Sequence, residues 1–240
     1  MNNFFIILGA GKGLRFGQNK PKQYFNHKGK ILIEHSIDKA LESKLFKKII
    51  VVISKRQKKL IDKYKGKRIK FVIGGKERKD SSLNALKKIR NEKPNNVLIH
   101  DAARPNFSIS LLKNLIKLLK NNYAVVPYIN SIDSIKYKIN KKLINLNRDN
   151  IYLTQTPQAF KFKKLYQLAS KEKGVITDEA SLFIKNNLNI KLVRGENKNN
   201  KITFLEDVKK PLTYYGIGFD IHKLVKNKKL YLGGINIPFH

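Results

Sequence analysis

Residues 3–15 read Asn3-Phe4-Phe5-Ile6-Ile7-Leu8-Gly9-Ala10-Gly11-Lys12-Gly13-Leu14-Arg15. A short unbroken apolar run predicts a strand buried on both faces, as strands of parallel sheets are. It runs directly into a glycine-rich basic loop, where bare backbone amides can approach a phosphate. The pattern then repeats. Apolar runs at Lys48 to Ile53, Ile69 to Ile73, Val97 to His100 and Ala124 to Pro127 read as further buried strands. Between them, Ile31 to Leu41, Lys55 to Tyr64, Ser81 to Ile89 and Ser108 to Lys120 space their apolar residues by three and four, with Ser81 and Ser108 as candidate N-caps. This alternation predicts an α/β fold: a Rossmann-like, mostly parallel sheet flanked by helices, with ligands gathered at the carboxyl ends of the strands.

Further along, the rhythm changes twice. From Asn130 to Leu153 short alternating stretches rich in Lys, Asn and Ile read as a protruding β-arm, and an arm of that kind needs a partner. Helical spacing returns at Lys161 to Ser170 and Asp178 to Asn187, followed by a strand at Ile190 to Val193 and a short helix after Glu206. Beyond Pro211, Tyr214 to His222 and Tyr231 to His240 contain strand-like pieces with glycine pairs, which places a boundary near Leu212: a first domain over 1–212 and a second stretch over 213–240.

Composition narrows the functional classes. There is no cysteine, which excludes disulfides, thiolate metal sites and a cysteine nucleophile, and makes the cytoplasm the default compartment. The opening apolar run has no basic residue before it, so it reads neither as a signal peptide nor as a membrane span. Fifty-one Lys plus Arg against 17 Asp plus Glu give a formal charge of +34. That excess runs through every segment and forms no stripe interleaved with stacking aromatics, so no nucleic-acid partner is expected.

Two segments carry candidate chemistry. In the first, Lys12, Arg15, Lys20 and Lys22 surround the glycine loop with enough positive charge for a triphosphate. A dinucleotide fingerprint would need glycine where Leu14 stands, and the Gly-Lys-Ser/Thr of a P-loop is missing. The second is His100-Asp101-Ala102-Ala103-Arg104-Pro105 at a strand's end, where Asp101 is suited to holding Mg²⁺ against phosphate oxygens with Arg104 beside it, or to a plain ion pair capping a turn.

Together with Pro21-Lys22-Gln23-Tyr24, Gly74-Gly75-Lys76-Glu77-Arg78, Asp80-Ser81, Thr156-Pro157-Gln158, Thr177-Asp178-Glu179-Ala180-Ser181 and Lys201-Ile202-Thr203, these segments resemble the methylerythritol phosphate cytidylyltransferases, collinearly from Ile6 to about Val208. The resemblance implies a nucleotidyltransferase that uses CTP, methylerythritol phosphate and Mg²⁺. It places Arg15, Lys22 and Lys201 on the triphosphate and transition state and Asp101 on the metal. Ala10, Gly11, Gly13, Gly75, Ser81, Arg104 and Thr156 fall on the nucleotide side. Asp133, Arg148 and Thr177 fall near the sugar phosphate, the first two on an arm reaching into the other subunit of a homodimer. Ser134, Gly9 and Leu205 depart from the family's usual Thr, Ala and Pro. A related family acting on ribitol phosphate shares the glycine loop and is the alternative reading.

The stretch Gly216-Ile217-Gly218-Phe219-Asp220-Ile221-His222, with Leu232-Gly233-Gly234-Ile235, resembles the opening of methylerythritol cyclodiphosphate synthase, which some bacteria fuse behind the cytidylyltransferase. Asp220 and His222 match two of that family's metal ligands, and its third would lie beyond His240. The expectation is therefore a truncated second domain with an incomplete site for Zn²⁺ or a similar ion, inactive as a cyclodiphosphate synthase.

Overall fold

The computed structural model describes residues 2–13, 16–17, 21–55, 57, 62–64, 68–208, 216–219, 221, 223 and 225–238. Two compact units emerge, Met1–Val208 and Lys209–His240. Leu212, the expected boundary, lies outside the described residues, as does half of the helix expected over Lys55 to Tyr64.

In the first unit the elements run β1 (Asn3–Leu8), a small hairpin of β2 (Asn26–His27) and β3 (Lys30–Ile31), α1 (Leu32–Glu42), β4 (Lys48–Ile53), β5 (Ile69–Ile73), α2 (Arg78–Ile89), β6 (Asn96–Asp101) and α3 (Ile109–Leu118). There follow β7 (Ala124–Asn130), the arm strands β8 (Ile135–Ile139) and β9 (Lys142–Leu146), β10 (Tyr152–Thr154), β11 (Gln158–Lys161), α4 (Phe162–Lys171), α5 (Ala180–Lys185) and β12 (Lys191–Arg194). Eight described strands form one sheet in the order β10-β7-β11-β6-β1-β4-β5, with β12 also paired to β7. The β6-β1-β4-β5 segment is parallel throughout, and β11 enters antiparallel between β6 and β7.

The core explains the apolar runs. Along β1, Phe5 and Ile7 face one layer and Phe4 and Ile6 the other. The first layer is closed by Ile33 and Ile37 of α1 with Leu112 and Leu115 of α3, and the second by Leu86 of α2, Leu165 of α4 and Phe183 of α5. A strand covered on both faces cannot alternate, so its sequence reads as continuously apolar. Chain order reverses at β1: β4 and β5 extend from one edge, and β6 returns to the other. Such a switch point opens a crevice outside the carboxyl ends of the strands.

Several expectations are corrected. Ser81 is not an N-cap: α2 starts three residues earlier, with Glu77 as its cap and Asp80 Oδ2 accepting the Glu77 amide at 3.0 Å. Ser108 does cap α3, its hydroxyl accepting from Leu111 N. β7 continues past Pro127 because β10 pairs antiparallel with Tyr128–Asn130, which supplies the ladder a proline would otherwise end. The hairpin of the arm is therefore β8 with β9 alone, while Tyr152 and Leu153 belong to the main sheet. The short helix expected after Glu206 is a 3₁₀ turn over Leu205–Asp207, held by Asp207 Oδ2 accepting from Thr203 N and Phe204 N.

In the second unit β13 (Leu230–Leu232) pairs with β14 (Ile235–Ile237) through Gly233 and Gly234, both at positive φ as a tight hairpin turn requires. The strand expected within Tyr214 to His222 is not seen in its described residues: Ile217, Phe219 and Ile221 are exposed without a pairing partner, and a strand needs one.

Candidate active site

The register of the sheet builds the site. Leu8 at the end of β1 pairs with Asp101 at the end of β6, so the glycine loop and the Asp101 motif emerge side by side. Gly9 N–H bonds Val52 O at 2.8 Å, which keeps the loop against β4 as it leaves the sheet. From below, Gln23 Nε2 donates to Gly9 O (2.8 Å) and Gly11 O (2.5 Å), and the Tyr24 hydroxyl donates to Gly9 O at 2.8 Å. Burial pushes the Tyr24 phenol up to about 12, so it stays a donor. These bonds satisfy the inward carbonyls, and Ala10, Gly11, Lys12 and Gly13 line a cavity of about 840 Å³.

Across from this loop, Gly75 and Ser81 line the same cavity, and the Ser81 hydroxyl accepts from Gly75 N at 3.1 Å. A Cβ at Gly75 would collide with the Asp80 side chain, so only glycine lets the loop pass so close to the first turn of α2. Lys22 arrives from the 3₁₀ turn after the glycine loop, its ammonium donating to Ile202 O at 2.6 Å. Lys201 comes from the segment after β12 and donates to Asp101 Oδ2 at 2.7 Å.

Asp101 is held on every side. Arg78 Nε and Nη2 each reach its Oδ1 at 3.3 Å, and its backbone N–H donates to Thr156 Oγ1 at 3.0 Å. Burial alone would raise its carboxyl; Arg78 and Lys201 outweigh that and hold it well below the usual carboxylate range. Behind it, burial pushes His100 down to about 3, so the ring is neutral. With Nε2 on Arg104 O at 3.0 Å, His100 Nδ1 accepts from the Thr156 hydroxyl at 3.1 Å, which orients the oxygen that receives Asp101 N–H.

The expected residues thus divide. Ala10, Gly11, Gly13, Lys22, Gly75, Ser81, Asp101 and Lys201 meet around one cavity. Thr156 and Arg104 stand behind it rather than in it: Thr156 positions Asp101, and Arg104 Nη1 donates to Asn199 O at 2.8 Å, tying the motif to the loop that carries Lys201. Asp133, Arg148 and Thr177 are exposed and do not line the cavity. Arg148 Nη1 donates to Ile132 O at 2.7 Å, and Asp133 O accepts from Ser131 Oγ. Arg15, Asp220 and His222 lie outside the described residues. Arg78 and Glu179 stand inside quoted motifs but carry no role from sequence; the meeting of the half-buried Arg78 with the carboxylates of Asp101 and Glu179 appears only in three dimensions.

Comparison with known proteins bears on the same ground. The family model of IspD, 2-C-methyl-D-erythritol 4-phosphate cytidylyltransferase, matches residues 4–214. The chain belongs to this family. The bifunctional enzyme IspD/IspF of Pelagibacter ubique is 51% identical over 239 residues, 99% of this chain and 64% of that enzyme. The chain thus spans less than two thirds of that relative. The 2-C-methyl-D-erythritol 4-phosphate cytidylyltransferase of Thermosipho melanesiensis is 38% identical over 216 residues, 86% of this chain and 94% of its own length. Among solved structures, the 4-diphosphocytidyl-2C-methyl-D-erythritol synthase of Anaerococcus prevotii superposes with a TM-score of 0.77 at 31% identity, over 86% of this chain and 92% of that one. The family match spans the glycine loop, the Asp101 motif and the arm, and the IspD/IspF relative continues through the second unit.

A divalent cation fits the donor set. Among the described residues no three His, Cys, Asp or Glu side chains cluster as a metal cage. Mg²⁺ needs none, since it is commonly held by one or two carboxylates together with substrate phosphates and water. Asp101, ionised and lining the cavity, meets that requirement. No described helix is long and apolar enough to cross a membrane.

Proposed function

We propose that the first unit transfers CMP from CTP to 2-C-methyl-D-erythritol 4-phosphate, giving CDP-methylerythritol and pyrophosphate, in the cytoplasm. One observation carries the reading: the glycine loop, Lys22, Asp101 and Lys201, from near the start of the first unit to near its end, converge on one cavity at the sheet's switch point.

The chemistry asks for charge rather than proton transfer. A phosphomonoester has a second pKa of about 6, so its oxygen is already anionic at neutral pH and needs no general base. That oxygen attacks the α-phosphorus of CTP, the bond from the α-phosphorus to the bridging oxygen breaks, and pyrophosphate leaves with the electron pair. Repulsion between dianion and triphosphate, and charge growing on the leaving group, are what must be offset. Lys22 and Lys201 lie where they can do so, and Lys12 and the glycine-loop residues Ala10, Gly11 and Gly13 line the same cavity. Mg²⁺ held by Asp101 would supply further charge neutralisation on the triphosphate. Gly75 and Ser81 take the nucleoside.

Asp133, Arg148 and Thr177 serve the sugar phosphate in this reading, with the arm of one protomer completing the site of its partner in a homodimer. The support is that the arm carries exposed apolar side chains, Ile132 at 85% and Leu143 at 70%. The second unit corresponds to the start of a cyclodiphosphate synthase domain. Within these 240 residues it offers two matching ligands where a catalytic zinc needs three, so no CMP release from the CDP-linked product is expected.

The test is pyrophosphate release from CTP with methylerythritol phosphate or with ribitol phosphate. A strong preference for the first is expected, and equal or faster turnover of the second would overturn the assignment.

A further inference from the structure

Arg78 opens α2, where a cation opposes the helix dipole and has to be held by something else. What holds it is a pair of carboxylates from distant segments. Nη1 donates to both oxygens of Glu179, at 2.8 and 2.9 Å, while Nε and Nη2 converge on Asp101 Oδ1. The Glu179 side chain is 1% exposed, against 26% for Arg78 and 15% for Asp101. Glu179 does not line the cavity. A carboxylate buried that deeply is costly unless paired, and its salt-bridge partner among the described residues is Arg78.

The geometry divides the Asp101 carboxylate in two. Oδ1 points back to the guanidinium, and Oδ2 is left to Lys201, whose side chain is 38% exposed. A half turn only exchanges equivalent oxygens, but any smaller rotation of the carboxylate would break the contacts to Arg78, and lysine at 78 could not match the bidentate geometry, because an ammonium lacks the planar fork. The same guanidinium ties Glu179, two residues after Thr177, to the end of β6.

We propose that Arg78, which lines the cavity and is anchored by Glu179, is a positioning residue that fixes the Asp101 carboxylate with Oδ2 turned to the cavity, where the cation accompanying a nucleoside triphosphate takes the place of the Lys201 ammonium and Lys201 passes to the phosphates. The inference rests on the assignment of Asp101 to that cation. Arg78 acts through Asp101, and Glu179 acts through Arg78.

Calorimetric titration of Mg²⁺ and CTP without a sugar phosphate reads binding with no turnover. It is to be run on the full chain and on Asp101→Asn, Glu179→Gln, Arg78→Lys and the Glu179→Gln/Arg78→Lys double variant. Outer-shell changes commonly cost 10- to 100-fold in metal affinity, so Glu179→Gln and Arg78→Lys should each raise the Mg²⁺ concentration needed for binding roughly tenfold. The double variant should be no worse than either single one, as expected for residues acting in one chain of contacts. In steady-state assays kcat should recover at saturating Mg²⁺. If Asp101→Asn shifts the Mg²⁺ dependence and Glu179→Gln does not, the positioning role is wrong while the Asp101 assignment stands. If Asp101→Asn itself shifts nothing, both are wrong. A uniform loss at every Mg²⁺ concentration with a lowered melting temperature would mean that Glu179 only stabilises the fold. Should Glu179→Gln not fold, Arg78→Lys carries the same readout, and a loss of CTP affinity independent of Mg²⁺ would make Arg78 a direct nucleotide ligand and overturn the proposal.

Discussion

The cavity at the ends of β1, β5 and β6 and the arm of β8 and β9 are held in opposite ways. Around the cavity, polar groups bond across distant segments: Gln23 to the glycine loop, Lys22 to Ile202 O, and Asp101 to Arg78, Lys201 and Thr156. On the arm, contacts are local: Lys136 Nζ to Asn145, Arg148 to Ile132 O, with Ile132 and Leu143 turned to solvent. A preorganised charge site is what the proposed nucleotidyl transfer needs, and the described lining of this cavity comes from one chain. The residues proposed for the acceptor, Asp133 and Arg148, stand by contrast on a surface with exposed apolar side chains.

If that contrast is right, substitutions in the two regions should fail differently. Lys22→Ala should lower kcat by roughly 10²-fold or more, the scale for removing one preorganised transition-state charge. An effect confined to KM would show that Lys22 binds substrate without acting on the transition state. Arg148→Ala should cost the sugar phosphate about 10- to 100-fold in kcat/KM, as for one lost charge-assisted bond, and leave CTP binding by calorimetry unchanged. Loss of CTP affinity in this variant would blur the division. Gly75→Ala should destabilise the fold by about 1–3 kcal/mol, the usual cost of forcing a methyl into a filled space. Thermal unfolding checks that, and an unchanged midpoint would show that α2 shifts at no cost. The smallest effect is expected from ending the chain at Val208, since the first compact unit contains the whole cavity: pyrophosphate release should match that of the 240-residue chain. A marked drop would mean that the second unit supports the first.

How far these regions could be read from sequence follows the same division. β1 and β4 are legible to the residue, because strands covered on both faces must be nearly continuously apolar, while β5, a half-buried edge strand interrupted by Lys70, is legible from its β-branched and aromatic residues. The glycine loop and Asp101 were legible because they follow such strands directly. β11 was missed: Gln158–Lys161 is short, mixed in character and defined by the neighbours on either side. The start of α2 is misplaced from sequence because Ser81 is the commoner kind of cap, whereas the first turn is closed by Asp80 Oδ2 accepting from Glu77 N. The Arg78–Glu179 pair, 101 residues apart, leaves no local signature. The arm was recognised as an arm, but sequence could not say which residues rejoin the main sheet, since β10 is fixed by its pairing with β7.

The division between the two regions is tested most directly by mixing Lys22→Ala and Arg148→Ala proteins, each strongly impaired alone, after subunit exchange has been verified, with the activity read above the sum of the two alone. If the arm of one protomer completes the cavity of the other, a heterodimer holds one intact cavity facing one intact arm. A 1:1 mixture should then recover about a quarter of wild-type activity, because half the dimers are mixed and each has one good site of two. No recovery would place Arg148 in its own subunit's site and contradict the account.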